Sequence, residues 1–387
     1  MGDGLRLALT TYSVNPRGGV VHTLELAEAL QAAGVLVTVV ALSDQGKGFF
    51  REVGVPVRLI DAPAPAPTLE ERVFQSIATL TEYLGEIGDQ FDIVHSQDCI
   101  SARAAARIRD AGTSYRVIRT VHHVDDFTTQ ALMDCQRNAI LEPDDVLVVS
   151  KLWQDLLLKD YGVHAGIVTN GIRAERFSAG ISELRRKELR QKLGVDDRFV
   201  YLTVGGIEPR KGTAYLVEAL ARLKATHPNP PMLAIIGGHS FQDYRAYRES
   251  VLDSLEPSGL ELGKDVVLLG TVSDAELPEW FSAADGFAFP SMKEGWGLVV
   301  LEAMAAGLPV VTSDIDVFHE FLTDEDDALM TNAGDAASLA QGLARLVDDE
   351  ETRRRLAQHG PTVAARYPWS ATAEQHLEVY RRALNAR

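Results

Sequence analysis

An α/β protein of two doubly wound, parallel-sheet domains is the fold class this sequence predicts, on three grounds. The chain has 387 residues, too many for one ordinary core and enough for two domains of about 100 to 200 residues each. Short Val/Ile/Leu runs alternate with amphipathic stretches, the texture of strands covered on both faces by helices. That rhythm breaks after Thr169-Asn170-Gly171 and restarts at Phe199. The expected domains are residues 1–172, completed by the C-terminal segment 369–387, and residues 173–368.

In the first domain, strands are expected at Leu5–Thr11, Val35–Leu42, Val55–Ile60, Phe91–His95, Tyr115–Val121, Asp145–Val149 and Gly166–Thr169, with helices at Val20–Ala33 and Ala102–Asp110. Apolar runs of this length separated by helical patterns make β-α-β units, whose parallel crossovers are right-handed. Pro63, Pro65 and Pro67 alternate with alanine and mark an extended connection. Arg173 to Arg198 is basic, lacks a strand signal, and reads as a linker with a short helix. Strands then recur at Phe199–Val204, Met232–Ile236, Asp265–Leu269, Gly286–Phe289 and Leu308–Thr312, with a helix from Thr213. Pro368 precedes a helical tail, Trp369–Leu384, that no strand follows; it is expected to pack back on the first domain.

Composition narrows the function. Hydrophobic residues at 46% and charged residues at 24% are the balance of a globular protein. A net charge of −17 repels nucleic acid phosphates and anionic lipid, so nucleic acid is not an expected partner. Arg103, Arg107, Arg109, Arg116 and Arg119 form a local basic exception, read first as a solvated helix face and second as a phosphate- or membrane-contacting patch. Two cysteines, Cys99 and Cys135, suggest neither a zinc site nor a disulfide framework, and a reducing cytoplasm is the expected location. Met1 to Leu9 is too short an apolar run for a signal peptide, and no stretch approaches the ~18 apolar residues of a membrane span.

The chemistry concentrates where strands end. Phe289-Pro290-Ser291 stops a strand, and Lys293-Glu294-Gly295-Trp296-Gly297 leads into the helical run Leu298 to Ala306, followed by Gly307-Leu308-Pro309-Val310. Backbone N–H groups from Gly297, Leu298 and Val299 onward lack acceptors at such a helix start and can hold phosphate or sugar oxygens. Glu294 and Glu302 add carboxylates suited to sugar hydroxyls. Upstream, Val204-Gly205-Gly206-Ile207-Glu208-Pro209-Arg210-Lys211-Gly212 is a strand running into a glycine turn and a basic doublet that suits a diphosphate. Between the first strand and first helix lies Arg17-Gly18-Gly19, where a parallel sheet places ligand loops. Another strand ends in Thr120-Val121-His122-His123. No complete G-x-G-x-x-G occurs, against a nicotinamide dehydrogenase.

Glu294 and Glu302, with seven residues between them in E-G-x-G-L-x-x-L-E-A-M-A-x-G-x-P-V-V, resemble the donor motif of the retaining family 4 glycosyltransferases of GT-B fold. The resemblance runs from the Gly18 loop to the C-terminal helix. It implies two doubly wound domains facing across a cleft, with the C-terminal helix crossing back. It implies Glu294 at the donor sugar, Glu302 at the ribose, Arg210 and Lys211 on the donor phosphates, Gly18 and Gly19 near the donor phosphate and acceptor, and His122 near the anomeric centre. Gly206 stands where the family usually has arginine, His123 where it usually has Asp, and Thr169 where Pro precedes the interdomain Asn170-Gly171 turn, which is taken as structural. The strand ends Ile235-Ile236-Gly237-Gly238 and Leu269-Gly270 fall near the expected nucleobase pocket.

The same resemblance implies a retaining hexosyltransferase that uses a nucleotide diphosphate sugar and no metal or other cofactor; the chain also lacks an Asp-x-Asp. The acceptor stays open among carbohydrates, lipids and small metabolites, with a peripheral membrane contact as one option. Two other readings stay open: a nucleotide-sugar epimerase of the same fold, and a nucleotide-sugar-binding protein without catalysis.

Overall fold

The computed structural model describes residues 4–195, 197–238 and 244–385, so the first three residues of the N-terminal stretch and the last two of the C-terminal segment lie outside the described residues. The chain forms two compact units, residues 1–171 with 369–387, and residues 172–368.

Unit one is built on strands β1 (Arg6–Thr11), β2 (Leu36–Ser43), β3 (Val57–Asp61), β4 (Ile93–Ser96), β5 (Arg116–Val121), β6 (Asp145–Val148) and β7 (Gly166–Ile167). All are parallel, in the order β3-β2-β1-β4-β5-β6-β7. Unit two carries β8 (Val200–Val204), β9 (Met232–Ile236), β10 (Val266–Gly270), β11 (Gly286–Phe289), β12 (Val310–Asp314) and β13 (Leu329–Asn332), parallel in the order β10-β9-β8-β11-β12-β13. The Val/Ile/Leu runs form strands because helices cover both faces; β4, β9 and β11 are buried along their whole length. In each sheet the order in which strands are laid down reverses once, between β1 and β4 and between β8 and β11. Outside the carboxyl ends of such strand pairs the flanking loops diverge and leave a crevice; the Gly18-Gly19 loop follows β1, the Arg210-Lys211 turn follows β8 and the Glu294 loop follows β11, while His122 follows β5, the neighbour of β4.

Some elements escaped the sequence reading. The helix Leu69–Ile87 begins at a capping box in which Thr68 accepts from the Glu71 N–H and the Glu71 carboxylate accepts from the Thr68 N–H. Gln130–Leu141 and Lys151–Tyr161 are capped by Thr129 and Ser150. The edge strand β13 was also missed; its Leu-Met-Thr-Asn lacks the Val/Ile/Leu run that marks the buried strands.

Two expectations are corrected. The 173–198 segment is not a linker with one short helix. It forms two helices, Ala174–Ser178 and Glu183–Lys192, and the second is fastened to unit two by Arg185 on Glu279 and by Arg186 and Arg190 on Asp285. The five arginines from 103 to 119 do not make one solvated face. Arg103 pairs with Glu142, Arg109 and Arg116 with Asp144, and Arg119 is buried with no hydrogen bond to its Nε or Nη1.

The last helix, Trp369–Asn385, packs on the first helix, Gly18–Ala32, as part of unit one. The chain leaves and re-enters unit one at adjoining points: a Cβ on Gly171 would stand 2.7 Å from the Trp369 Cα. In unit two, the Ile172 N–H donates to the Tyr367 carbonyl at 2.7 Å. A side chain larger than glycine's has no room at 171.

Candidate active site

In unit two the site is assembled by two loops that lock onto each other. After β8 the chain turns through Pro209–Lys211 to Gly212, which has φ +68° and starts the helix Thr213–Thr226. A Cβ on Gly212 would lie 1.9 Å from the Pro290 carbonyl oxygen, so only glycine allows this approach. From the other loop, the Met292 N–H donates to the Arg210 carbonyl at 2.7 Å, and Ser291 Oγ lies 2.9 Å from the same oxygen.

This clasp brings Arg210, Lys211 and Glu294 together. Lys211 Nζ is 2.6 Å and Arg210 Nη1 3.4 Å from Glu294 Oε1, which also accepts from the Ser291 hydroxyl at 2.7 Å. Arg210 Nε lies 3.0 Å from Glu208, and Lys211 Nζ sits 4.6 Å from the Phe289 ring centroid. Burial pushes the Glu294 carboxyl up, but the Lys211 and Arg210 charges and the hydrogen bonds outweigh it, and the group is held below the usual glutamate range. Burial draws Lys211 below its usual value, against the pull of Glu294.

Gly297 has φ +102° and opens the helix Leu298–Ala305, and no side chain caps it. A Cβ there would meet Phe318 at 2.6 Å. The N–H groups of Leu298 and Val299 therefore lie in a first turn without a capping acceptor, the arrangement that holds oxyanions. Glu302 lies one turn further on and is 8% exposed.

In unit one, Gly18 and Gly19 start the first helix, and His122 follows β5. Nothing lies within 4 Å of a Cβ built on Gly18, and one on Gly19 would touch the His122 ring at 3.7 Å. Neither glycine has a left-handed backbone, so their value is open space beside the imidazole. His122 Nε2 is 3.1 Å from Gln97 Oε1, and its ring meets that of His22 edge-on, with centroids 4.7 Å apart. His22 Nδ1 is 2.8 Å from Asn170 Oδ1, which gives the Asn170-Gly171 turn a structural task. Burial, then the neighbouring His123, Arg119 and His376, push His122 down to about 3. The imidazole is neutral at physiological pH. His123 is exposed and lies 3.3 Å from Asp125.

The structure thus joins Arg210, Lys211 and Glu294 in unit two and Gly19 and His122 in unit one, while Leu298, Val299 and Glu302 share the Gly297 helix. Sequence reasoning missed Ser291, Glu208, Gln97 and His22. Ser291 ends the Phe289-Pro290-Ser291 strand stop and Glu208 lies in the Val204–Gly212 stretch, both beside the residues singled out. Gln97 and His22 reach His122 only through the packing of β4, β5 and the first helix. Among the described residues no group of three or more His, Cys, Asp and Glu side chains is arranged to hold a metal ion, and no helix is long and apolar enough to cross a membrane.

Two parallel-sheet units, each with its loops gathered at a strand-order reversal and one of them carrying a cationic cluster beside an open helix start, are the frame of a glycosyltransferase of GT-B fold. Residues 185–363 match the glycosyl transferases group 1 and residues 16–176 match Glycosyltransferase Family 4. The D-inositol 3-phosphate glycosyltransferase of Corynebacterium urealyticum is 28% identical, over 97% of this chain and 95% of that protein. The protein of the same name from Stackebrandtia nassauensis is 30% identical, over 77% and 69%. Among solved structures, Anabaena HepE in complex with UDP and glucose superposes with a TM-score of 0.80 at 19% identity, over 98% of this chain and 100% of that one. The chain belongs to the group 1 glycosyltransferases of family 4.

Proposed function

We propose that this glycosyltransferase transfers a hexose from a nucleoside diphosphate sugar to a hydroxyl acceptor, with retention of anomeric configuration and without a metal ion. Supporting it above all is the Lys211–Glu294–Arg210 cluster beside the uncapped start of the Leu298–Ala305 helix. A diphosphate is a better partner for two cations than one carboxylate is. On donor binding, Arg210, Lys211 and the N–H groups of Leu298 and Val299 take the diphosphate, and Glu302 accepts from the ribose. Glu294 is freed to accept from hydroxyls of the hexose.

The cations and the helix start take the place that a divalent ion would have at a leaving diphosphate. In unit one, Gly18 and Gly19 leave room for the donor phosphate and the acceptor, and neutral His122 accepts from a hydroxyl of the transferred sugar. As the anomeric carbon–oxygen bond to the diphosphate breaks, its electron pair passes to the leaving oxygen. That oxygen takes the proton of the acceptor hydroxyl, which bonds to the anomeric carbon on the same face. Catalysis is then positioning plus stabilisation of departing charge.

The D-inositol 3-phosphate glycosyltransferases among its relatives make D-inositol 3-phosphate the first acceptor to try, and HepE, solved with UDP and glucose, makes UDP-glucose the first donor. Uridine, guanosine and adenosine diphosphate sugars are incubated with that acceptor, with phosphatidylinositol and with a neutral hexose, each with excess EDTA. The expected product keeps the donor's anomeric configuration and forms at an unchanged rate under EDTA. An inverted product rejects retention. Activity abolished by EDTA and restored by Mg²⁺ or Mn²⁺ rejects the metal-free reaction. Epimerised donor formed without any acceptor would replace transfer by epimerisation.

A further inference from the structure

His122 is neutral, and a neutral imidazole carries its proton on only one nitrogen, so its tautomer decides whether it accepts or donates toward a ligand. His122 Nδ1 makes no hydrogen bond among the described residues and is not enclosed, whereas Nε2 points inward to Gln97. Gln97 is 4% exposed and rigidly placed, its N–H donating to the Thr10 carbonyl at 3.0 Å so that it continues the β1–β4 pairing. The ring cannot turn away from the amide freely. His22 stands edge-on at 4.7 Å, Gly19 lies against the Cδ2 edge, and His22 is itself pinned to Asn170.

We infer that Gln97 is a positioning residue whose Oε1 fixes His122 as the Nε2–H tautomer, leaving Nδ1 as a bare acceptor for a sugar hydroxyl. This rests on the proposed role of His122. An acceptor at that point serves a hydroxyl that must donate, and it selects against a ligand presenting only acceptors there, such as a carboxylate or a methyl ether. The side chain's own amide nitrogen is buried without a partner. An unsatisfied donor of this kind costs stability and is retained here beside the imidazole. The titratable and charged groups around His122 are His22 on the first helix, His95 on β4, His376 on the last helix, and Arg119 and His123 on its own segment. None is a carboxylate in contact with the ring, and among the described residues the amide is the one hydrogen-bonding partner of its side chain.

The test compares the wild-type chain with Gln97→Glu and Gln97→Leu, using ¹⁵N-detected histidine spectra and turnover against pH. In the wild type, His122 is expected to stay neutral from about pH 5 to 8 with the proton on Nε2. Gln97→Glu supplies an acceptor that also bears charge, so His122 should take up a second proton within that range. Nδ1 then becomes a donor, and turnover at saturating donor should fall about tenfold or more on the acid side and recover as pH rises. Nucleoside diphosphate affinity should change less than about twofold, since that site is in unit two. Gln97→Leu should lose turnover without gaining the new pH limb.

A wild-type spectrum with the proton on Nδ1 overturns the inference, because the amide would then be turned end for end and donating. So does a Gln97→Glu enzyme with the wild-type pH profile. The wild-type spectrum decides the matter even if neither variant folds. His122→Ala separates the two levels: wild-type turnover in that variant removes His122 from the reaction whatever Gln97 does.

Discussion

Lys211 carries two burdens at once, and both can be measured. It neutralises Glu294 at 2.6 Å in the free protein and is assigned the donor diphosphate in the loaded one. Lys211→Ala should weaken UDP binding by about 1.5 to 3 kcal/mol, roughly ten- to a hundredfold, as the loss of a charge-assisted contact does. Calorimetry with the nucleotide alone reads this, and wild-type affinity would remove Lys211 from the phosphate site. The same change strips Glu294 of its closest cation and should raise its pKa. In the wild type the depressed carboxyl contributes stability that is complete above its usual value of 4.5 and fades as pH falls below that. In Lys211→Ala the folded value moves back towards the unfolded one, so this contribution, and with it the acid-side loss, should shrink. Legibility at this scale followed local motif density. Glu294 and Lys211 could be read because each sits among glycines and turn residues that announce a strand end. Gln97 could not, being one polar residue after a short apolar run; its contact with His122 exists only because β4 lies beside β5, with Ser96 opposite Arg119.

Between elements, the last helix is tied to the sheet by a relay through buried groups. Tyr380 OH is 2.8 Å from His95 Nδ1, and His95 Nε2 is 2.8 Å from Thr120 Oγ1, so one imidazole links the helix, β4 and β5. Tyr380→Phe keeps the ring but leaves a buried nitrogen unsatisfied, and should cost about 1 to 3 kcal/mol in chemical denaturation of unit one. UDP affinity should not move. A loss of affinity as large as that of Lys211→Ala would refute the separation of roles. Strands with continuous Val/Ile runs were legible because burial on both faces leaves an unbroken apolar signature. The helix Leu69–Ile87 was not read, although its Thr68–Glu71 box was present in the sequence. The role of 173–198 was hidden because its arginines look solvated until Glu279 and Asp285, about a hundred residues later, supply their partners.

For the molecule as a whole, acid should act unevenly. His22, His95, His122 and His376 all belong to unit one and are pushed below the usual histidine range, burial being the largest cause in each, with His376 at about 4. Groups depressed in this way bind fewer protons folded than unfolded. Their contribution is complete above the unfolded value of about 6.5 and is lost as pH falls through the folded values. Each such histidine removes about 1.4 kcal/mol per pH unit across that window. Among the described residues unit two has no buried histidine. Calorimetry from pH 7 to 5 should therefore show the unit-one transition moving down first, and equal shifts of both transitions would contradict it. Division into two parallel-sheet units was legible from the interrupted β-α rhythm.

The C-terminal helix has a consequence for the order of events during synthesis. Its side chains Trp369, His376 and Tyr380 stand against His22 and His95, which are among the first hundred residues made. The ribosome therefore delivers the two parts of unit one before and after unit two, which is contiguous in sequence and emerges entire between them. Domains fold as units, usually in the order of their emergence. In this chain the unit begun first is finished after unit two, and until residues 369–385 emerge the rings of His22 and His95 lack the cover that Trp369, His376 and Tyr380 give them.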